Sequence, residues 1–99
     1  MSTPEKKVKE AIKRVLKKYK VYYFMPATGG YGRSGVPDFI CCVKGLFLAI
    51  EAKADGNKLT LLQIKEIASI QEAGGFALVI NEENVDDLEL HIKWWLSCQ

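Results

Sequence analysis

One histidine and three cysteines in a chain of 99 residues remove whole classes of chemistry. His91 is the only imidazole, so a nucleophile–histidine hydrolase or a histidine-based nuclease would have to be built on it. It falls within the last predicted helix, far along the chain from every other polar cluster, and is expected to be structural. A metal centre of imidazole ligands lacks the residues. Cys41 and Cys42 are adjacent, so on a strand they point to opposite faces and do not bridge. Neither they nor Cys98 has zinc-ligand spacing, and all three are expected to be reduced, buried small hydrophobes. No apolar run approaches the ~20 residues of a membrane span. No signal-peptide pattern opens the chain, so a cytoplasmic protein without membrane association is expected. The glycine-rich stretch from Pro26 to Pro37 lacks the Gly-Lys-Ser/Thr ending of a phosphate-binding loop, and no strand leads into a GxGxxG pattern.

What is present suits a single globular domain over residues 1–99: 48% hydrophobic and 26% charged residues argue against disorder. The net charge of +2 hides an asymmetry, because residues 1–20 hold eight Lys/Arg against Glu5 and Glu10, a balance of +6 that leaves −4 for the rest. Such a basic first helix suggests a phosphate-tracking surface, with a plain solvated face as the alternative. Residues 4–18 carry helical spacing in Val8, Ala11, Ile12, Val15, Leu16 and Tyr19, with Ser2 or Thr3 as cap, Pro4 in the first turn and Ser2-x-x-Glu5 as a capping box. Strand-like runs follow at 21–25, from Asp38, and at 46–53, the last two joined by Lys44-Gly45 at hairpin length. A helix over Leu61–Glu72 ends at Gly74-Gly75. Phe76–Ile80 reads as a strand of the fully buried type, and a last helix runs from about Val85 to Leu96. The order α-β-β-β-α-β-α implies an α/β fold, a small mixed sheet flanked by helices.

Chemistry concentrates where two of these strands meet. Gly35-Val36-Pro37-Asp38-Phe39 precedes Glu51-Ala52-Lys53, and a hairpin at Lys44-Gly45 sets Asp38 beside the Glu51 end of its partner. Glu51 and Lys53 are two apart and share a strand face. Magnesium takes oxygen ligands, keeps several waters, and is held by one or two carboxylates plus substrate phosphate. Asp38 and Glu51 suit it, with the main-chain carbonyl of Ala52 available as a third ligand. Lys53 can position an attacking water or offset charge developing on a phosphodiester. The alternative is a plain Glu–Lys pair on a sheet face. In the loop, Thr28, Arg33 and Ser34 can grip a nucleic-acid backbone.

The pattern Gly-x-Pro-Asp-Phe, then Ile-Glu-Ala-Lys, then Gln63 on the next helix, resembles the PD-(D/E)xK nuclease superfamily. More narrowly it resembles the VRR-NUC family, whose standalone members are frequently encoded by phages and prophages. The loop Pro26-Ala-Thr-Gly leading to Val36-Pro37-Asp38 is also similar to that of archaeal Holliday-junction resolvases. The resemblance implies a restriction-endonuclease-like core, with Asp38 and Glu51 as metal ligands, Lys53 as the catalytic lysine and Gln63 as a further polar residue of the site. Gln63 also completes a Thr60-x-x-Gln63 capping box, and one side chain in one rotamer is not expected to fill both roles. The family places a glutamate on the first helix. Glu5 aligns with Val8 and Ile12 and is taken for that position, whereas Glu10 falls on the lysine-rich face.

The expectation is therefore a Mg²⁺-dependent endodeoxyribonuclease, with Mn²⁺ able to substitute, acting on branched DNA such as four-way (Holliday) junctions in a bacterial or phage-infected cell. Lys13, Lys17 and Lys18 are expected to contact DNA. A homodimer is expected, because paired incision calls for two sites and the last helix carries Leu90, Trp94 and Leu96 outside its Val85, Leu88, Ile92, Trp95 stripe. The alternatives are a non-catalytic DNA-binding or assembly module with a nuclease-like fold, and a flap or sequence-specific nuclease.

Overall fold

The computed structural model describes residues 3–27 and 32–98. The first helix, α1 (Pro4–Lys18), is capped by Thr3, whose hydroxyl accepts the Lys6 N–H at 3.1 Å. Ser2, the other candidate cap, lies outside the described residues. Val8, Ile12 and Leu16, at helical spacing, are its buried stripe. The chain turns through Lys20 into β1 (Tyr22–Phe24), then reaches β2 (Phe39–Val43) and β3 (Leu46–Ala52). Lys44 and Gly45 form the two-residue hairpin, both with positive φ (52° and 87°), as the primed turn matched to strand twist requires. α2 (Leu61–Glu72) carries the chain across to β4 (Phe76–Ile80), and α3 (Val85–Ser97) closes the order α-β-β-β-α-β-α.

The sheet order is β1-β2-β3-β4. The first three strands form an antiparallel meander, and β4 pairs with β3 in parallel, the arrangement that needs a crossover helix. Alternation along the strands splits the sheet into two unlike faces. Phe39, Cys41 and Val43 of β2 join Leu48, Ile50 and Ala52 of β3 against α1 and α3, whose Leu16, Ile12, Leu88 and Ile92 are fully buried. The opposite face carries Ile40, Cys42, Phe47, Ala49 and Glu51, and its cover is thinner.

Two departures from expectation, at the cysteines and at β4, and one further feature, at α2, accompany that thin cover. Cys41 is buried, but Cys42 points to the other face and is exposed, as is Cys98 just past α3. β4 is an edge strand rather than a fully buried one: Phe76 is 45% exposed and only Ile80 is buried. Finally, α2 has no buried residue, and Leu61, Leu62 and Ile64 face solvent. A helix so weakly anchored by apolar contact needs another restraint. Gly35 supplies one, since the start of α2 rests on its backbone.

A Cβ built at Gly35 would lie 2.5 Å from the Leu62 carbonyl carbon and 2.9 Å from the Gln63 nitrogen. Gly35 and Gly45 share a left-handed backbone (φ 80° and 87°), yet a Cβ at Gly45 meets open space. Gly45→Ala is therefore expected to cost only the backbone term, about 1–2 kcal/mol. Gly35→Ala should cost clearly more, because the start of α2 must also move. Thermal unfolding of the two variants side by side measures the difference.

Candidate active site

The β2–β3 register pairs Phe39 with Ile50, and one further step brings Asp38 opposite Glu51. Asp38 is not left to find its position by chance. Its Oδ2 accepts the main-chain N–H of Ala52 at 2.8 Å, taking up the ladder one step beyond the last strand pair. The Lys53 N–H donates to the Ile80 carbonyl at 2.9 Å, which fixes the end of β3 to β4 as well. Lys53 is half-buried, and among the described residues it makes no ion pair. Glu51 is 4% exposed, the one charged side chain among the described residues that is buried.

Gln63 joins this group in a way that corrects the expectation of mutually exclusive roles. Its Oε1 accepts the Thr60 N–H at 2.9 Å, and the Thr60 hydroxyl accepts the Gln63 N–H at 3.2 Å, so the capping box is complete. Its Nε2 donates to Glu51 Oε2 at 2.9 Å. An amide has an acceptor end and a donor end, and one rotamer uses both. The cap requires the oxygen at Thr60, which leaves only the nitrogen to face a carboxylate.

Holding Glu51 out of water pushes its carboxyl up from the usual 4.5 to about 7. Burial is the main cause and the neighbouring Asp38 charge adds to it, as does Glu5, while Lys53 pulls in the other direction. A desolvated carboxylate beside a second one is a concentration of negative charge that a cation would relieve. The donors are oxygens only, which fits a hard divalent ion such as Mg²⁺. Among the described residues no three His, Cys, Asp or Glu side chains converge as a ligand set. Two carboxylates are what magnesium uses when substrate and water supply the rest.

Glu5 lies at this end of the molecule but faces Lys9, whose Nζ is 3.8 Å from Glu5 Oε2 and 3.5 Å from Asp38 Oδ1. Glu10 pairs with Lys13 at 3.6 Å, away from the site. Sequence reasoning missed Lys9. Its signal was present in the i,i+4 spacing from Glu5, but nothing in the sequence told this lysine from the others of α1.

The residues expected to bind DNA are not gathered together. Arg33 is engaged with Glu66 at 2.7 Å, tying the loop to α2. Lys18 and the Tyr19 hydroxyl both donate to Glu89, at 2.9 and 3.0 Å, joining α1 to α3. Lys13 has Glu10, whereas Lys17 makes no ion pair among the described residues. Ser34 is exposed in the turn before Gly35, and Thr28 lies outside the described residues. His91 is exposed and stacks on Trp95 at 5.6 Å between ring centres. A groove of about 520 Å³ runs between Arg33, Phe47, Glu66 and Ile70, and none of Asp38, Glu51 or Lys53 borders it. The two carboxylates lie instead at the end of the β2–β3 pair, Asp38 partly exposed and Glu51 buried. Cys41 is no reserve nucleophile, since burial pushes its thiol up to about 12.

The position of Glu51 has a measurable consequence. The unfolded chain releases this proton near 4.5 and the folded one near 7. Stability present below pH 4.5 is therefore lost progressively as pH rises to 7. In chelator, Glu51→Gln should lose less stability than the parent over that interval and should melt a few degrees higher at pH 8. Thermal melts of both proteins across the interval check this, with the difference between them isolating Glu51.

No protein-family profile and no curated protein matches the chain. A solved structure described as a VRR_NUC domain is similar to it, with a TM-score of 0.76 at 24% identity, over 91% of this chain and 98% of that one. The chain thus shares the fold of that domain over most of its length, on a likeness of architecture rather than of sequence.

Proposed function

We propose that this protein is a metal-dependent endonuclease that hydrolyses phosphodiester bonds in branched DNA. The observation that carries the reading is the Glu51 carboxylate, buried, opposed to Asp38 and held by Gln63, at the strand end where Lys53 follows. A purely structural domain gains nothing from that arrangement, which costs stability at neutral pH. Asp38 and Glu51, with the Ala52 main-chain carbonyl, would hold Mg²⁺, or Mn²⁺ in its place. When bound, the ion supplies Lewis-acid polarisation of the phosphodiester and an acidified water. Lys53 orients the attacking water and offsets charge on the developing phosphorane. Gln63 fixes the Glu51 rotamer through its amide nitrogen. Lys13 and Lys17 on α1 track the backbone away from the site, while Lys18 is committed to Glu89. The preference for branched DNA rests on the motif resemblance alone.

Cleavage of a labelled four-way junction beside a matched linear duplex, with Mg²⁺ or chelator, tests the reading. Asp38→Ala, Glu51→Ala and Lys53→Ala are each expected to slow cleavage by roughly a hundredfold or more. Full activity in a folded Asp38→Ala or Glu51→Ala protein would refute the assignment, and faster cutting of the linear duplex would refute the substrate.

The protein is further proposed to act as a homodimer through the outer face of α3. Leu88, Ile92 and Trp95 fill the core, whereas Leu90 and Trp94 remain 62% and 63% exposed. An exposed tryptophan beside a leucine is a typical interface anchor. Light scattering at micromolar concentration should give a dimer for the parent and a monomer for Trp94→Glu, and a parent monomer that still makes paired cuts would overturn the geometry.

A further inference from the structure

We propose that Lys9 is a resident counter-ion of the carboxylate site, seated on the Asp38 oxygen that a divalent cation would take and competing with it. This rests on the metal-dependent reading above. Asp38 has two oxygens with separate duties. Oδ2 is committed to the Ala52 N–H at 2.8 Å. Oδ1 is the oxygen left to offer a cation, and it is the one that Lys9 faces, at 3.5 Å.

Lys9 differs from the other paired lysines of α1. Lys13 pairs with Glu10 of its own helix, and Lys18 is hydrogen-bonded to Glu89 at 2.9 Å. Of these three, Lys9 alone reaches from α1 to Asp38, the residue before β2; its side chain is 29% exposed, about as much as that of Lys13. Its ammonium sits between Asp38 and Glu5, at 3.5 and 3.8 Å. Both separations exceed hydrogen-bond length, so attraction is diffuse and no directional bond locks the side chain in place. A flexible four-carbon stem with a point charge can leave such a position without breaking anything specific. The arrangement neutralises part of the charge that Asp38, Glu51 and Glu5 concentrate at one strand end. It also sets a threshold, because a divalent ion gains Asp38 only by displacing Lys9. Lys9 is thus a positioning residue that tunes ion affinity.

Mn²⁺ titration of the DNA-free protein by calorimetry tests this without reference to cleavage. Lys9→Met keeps the stem and removes the charge, and is expected to bind Mn²⁺ roughly tenfold more tightly than the parent. Lys9→Arg, which keeps the charge, should stay near the parent value. In chelator, Lys9→Met should melt lower than the parent, and saturating Mn²⁺ should reverse that order. Should Lys9→Met fold poorly, Lys9→Gln serves the same titration. Equal or weaker Mn²⁺ binding in the uncharged variant, with binding by the parent intact, overturns the role of Lys9 alone. Absence of binding in the parent and in both uncharged variants overturns the metal reading and this inference together.

Discussion

Keeping the Glu51 carboxylate out of water is the constraint on which the arrangement of this molecule depends. A buried charge costs free energy unless it is paired and hydrogen-bonded. Each element near Glu51 contributes to meeting that demand. β2 brings Asp38 to the same row and ties it to the backbone of Ala52. α2 brings an amide donor. α1 brings an ammonium to the Asp38 side. What these contacts do not remove is the cost of burial, and Glu51 remains a carboxylate largely withdrawn from water beside a second one. That burial, with the Asp38 charge adding to it, is why the Glu51 carboxyl is pushed up to about 7.

The restraint on α2 shows how packing and chemistry are linked. This helix has no buried side chain, so apolar contact alone does not fix where it starts. Two polar or steric contacts do so instead: the Gly35 backbone against Leu62, and Gln63 reaching Glu51 while capping its own helix. Arg33 adds an ion pair to Glu66 one turn further on, although an exposed pair of this kind contributes little stability. Positioning the helix and positioning the carboxylate are thus one event. A change at Gly35 reaches the site through Gln63, without any contact of its own with Glu51.

Much of this was legible in the sequence. Element order, the Lys44-Gly45 hairpin and the bounds of α2 follow from periodicity, turn residues and caps. Asp38, Glu51 and Lys53 were placed together because hairpin register and strand alternation are geometric rules. The less legible features depend on what covers what. Phe76–Ile80 reads as buried from its apolar run, but an edge strand has one neighbour and keeps Phe76 and Val79 in solvent. Cys42 looks like Cys41 in the sequence, and only the unequal cover of the two sheet faces separates them. Lysines of one helix are likewise hard to tell apart until each has its acid: Glu10 of the same helix for Lys13, but Glu89 for Lys18 and Asp38 for Lys9, which only tertiary structure brings near.

That last difference gives the charge asymmetry of the chain a finer meaning. A first segment, residues 1–20, with six excess positive charges next to a mildly acidic body suggests, read as composition, a phosphate-binding surface. In the fold its N-terminal turn, with Glu5 and Lys9, belongs to the carboxylate site, and its C-terminal turn, with Lys18 and Tyr19, belongs to the joint with α3. Among the described residues Lys6, Lys7, Arg14, Lys17 and Lys20 make no ion pair, so the cations of this segment that remain without a partner acid are spread along its length rather than gathered in one patch.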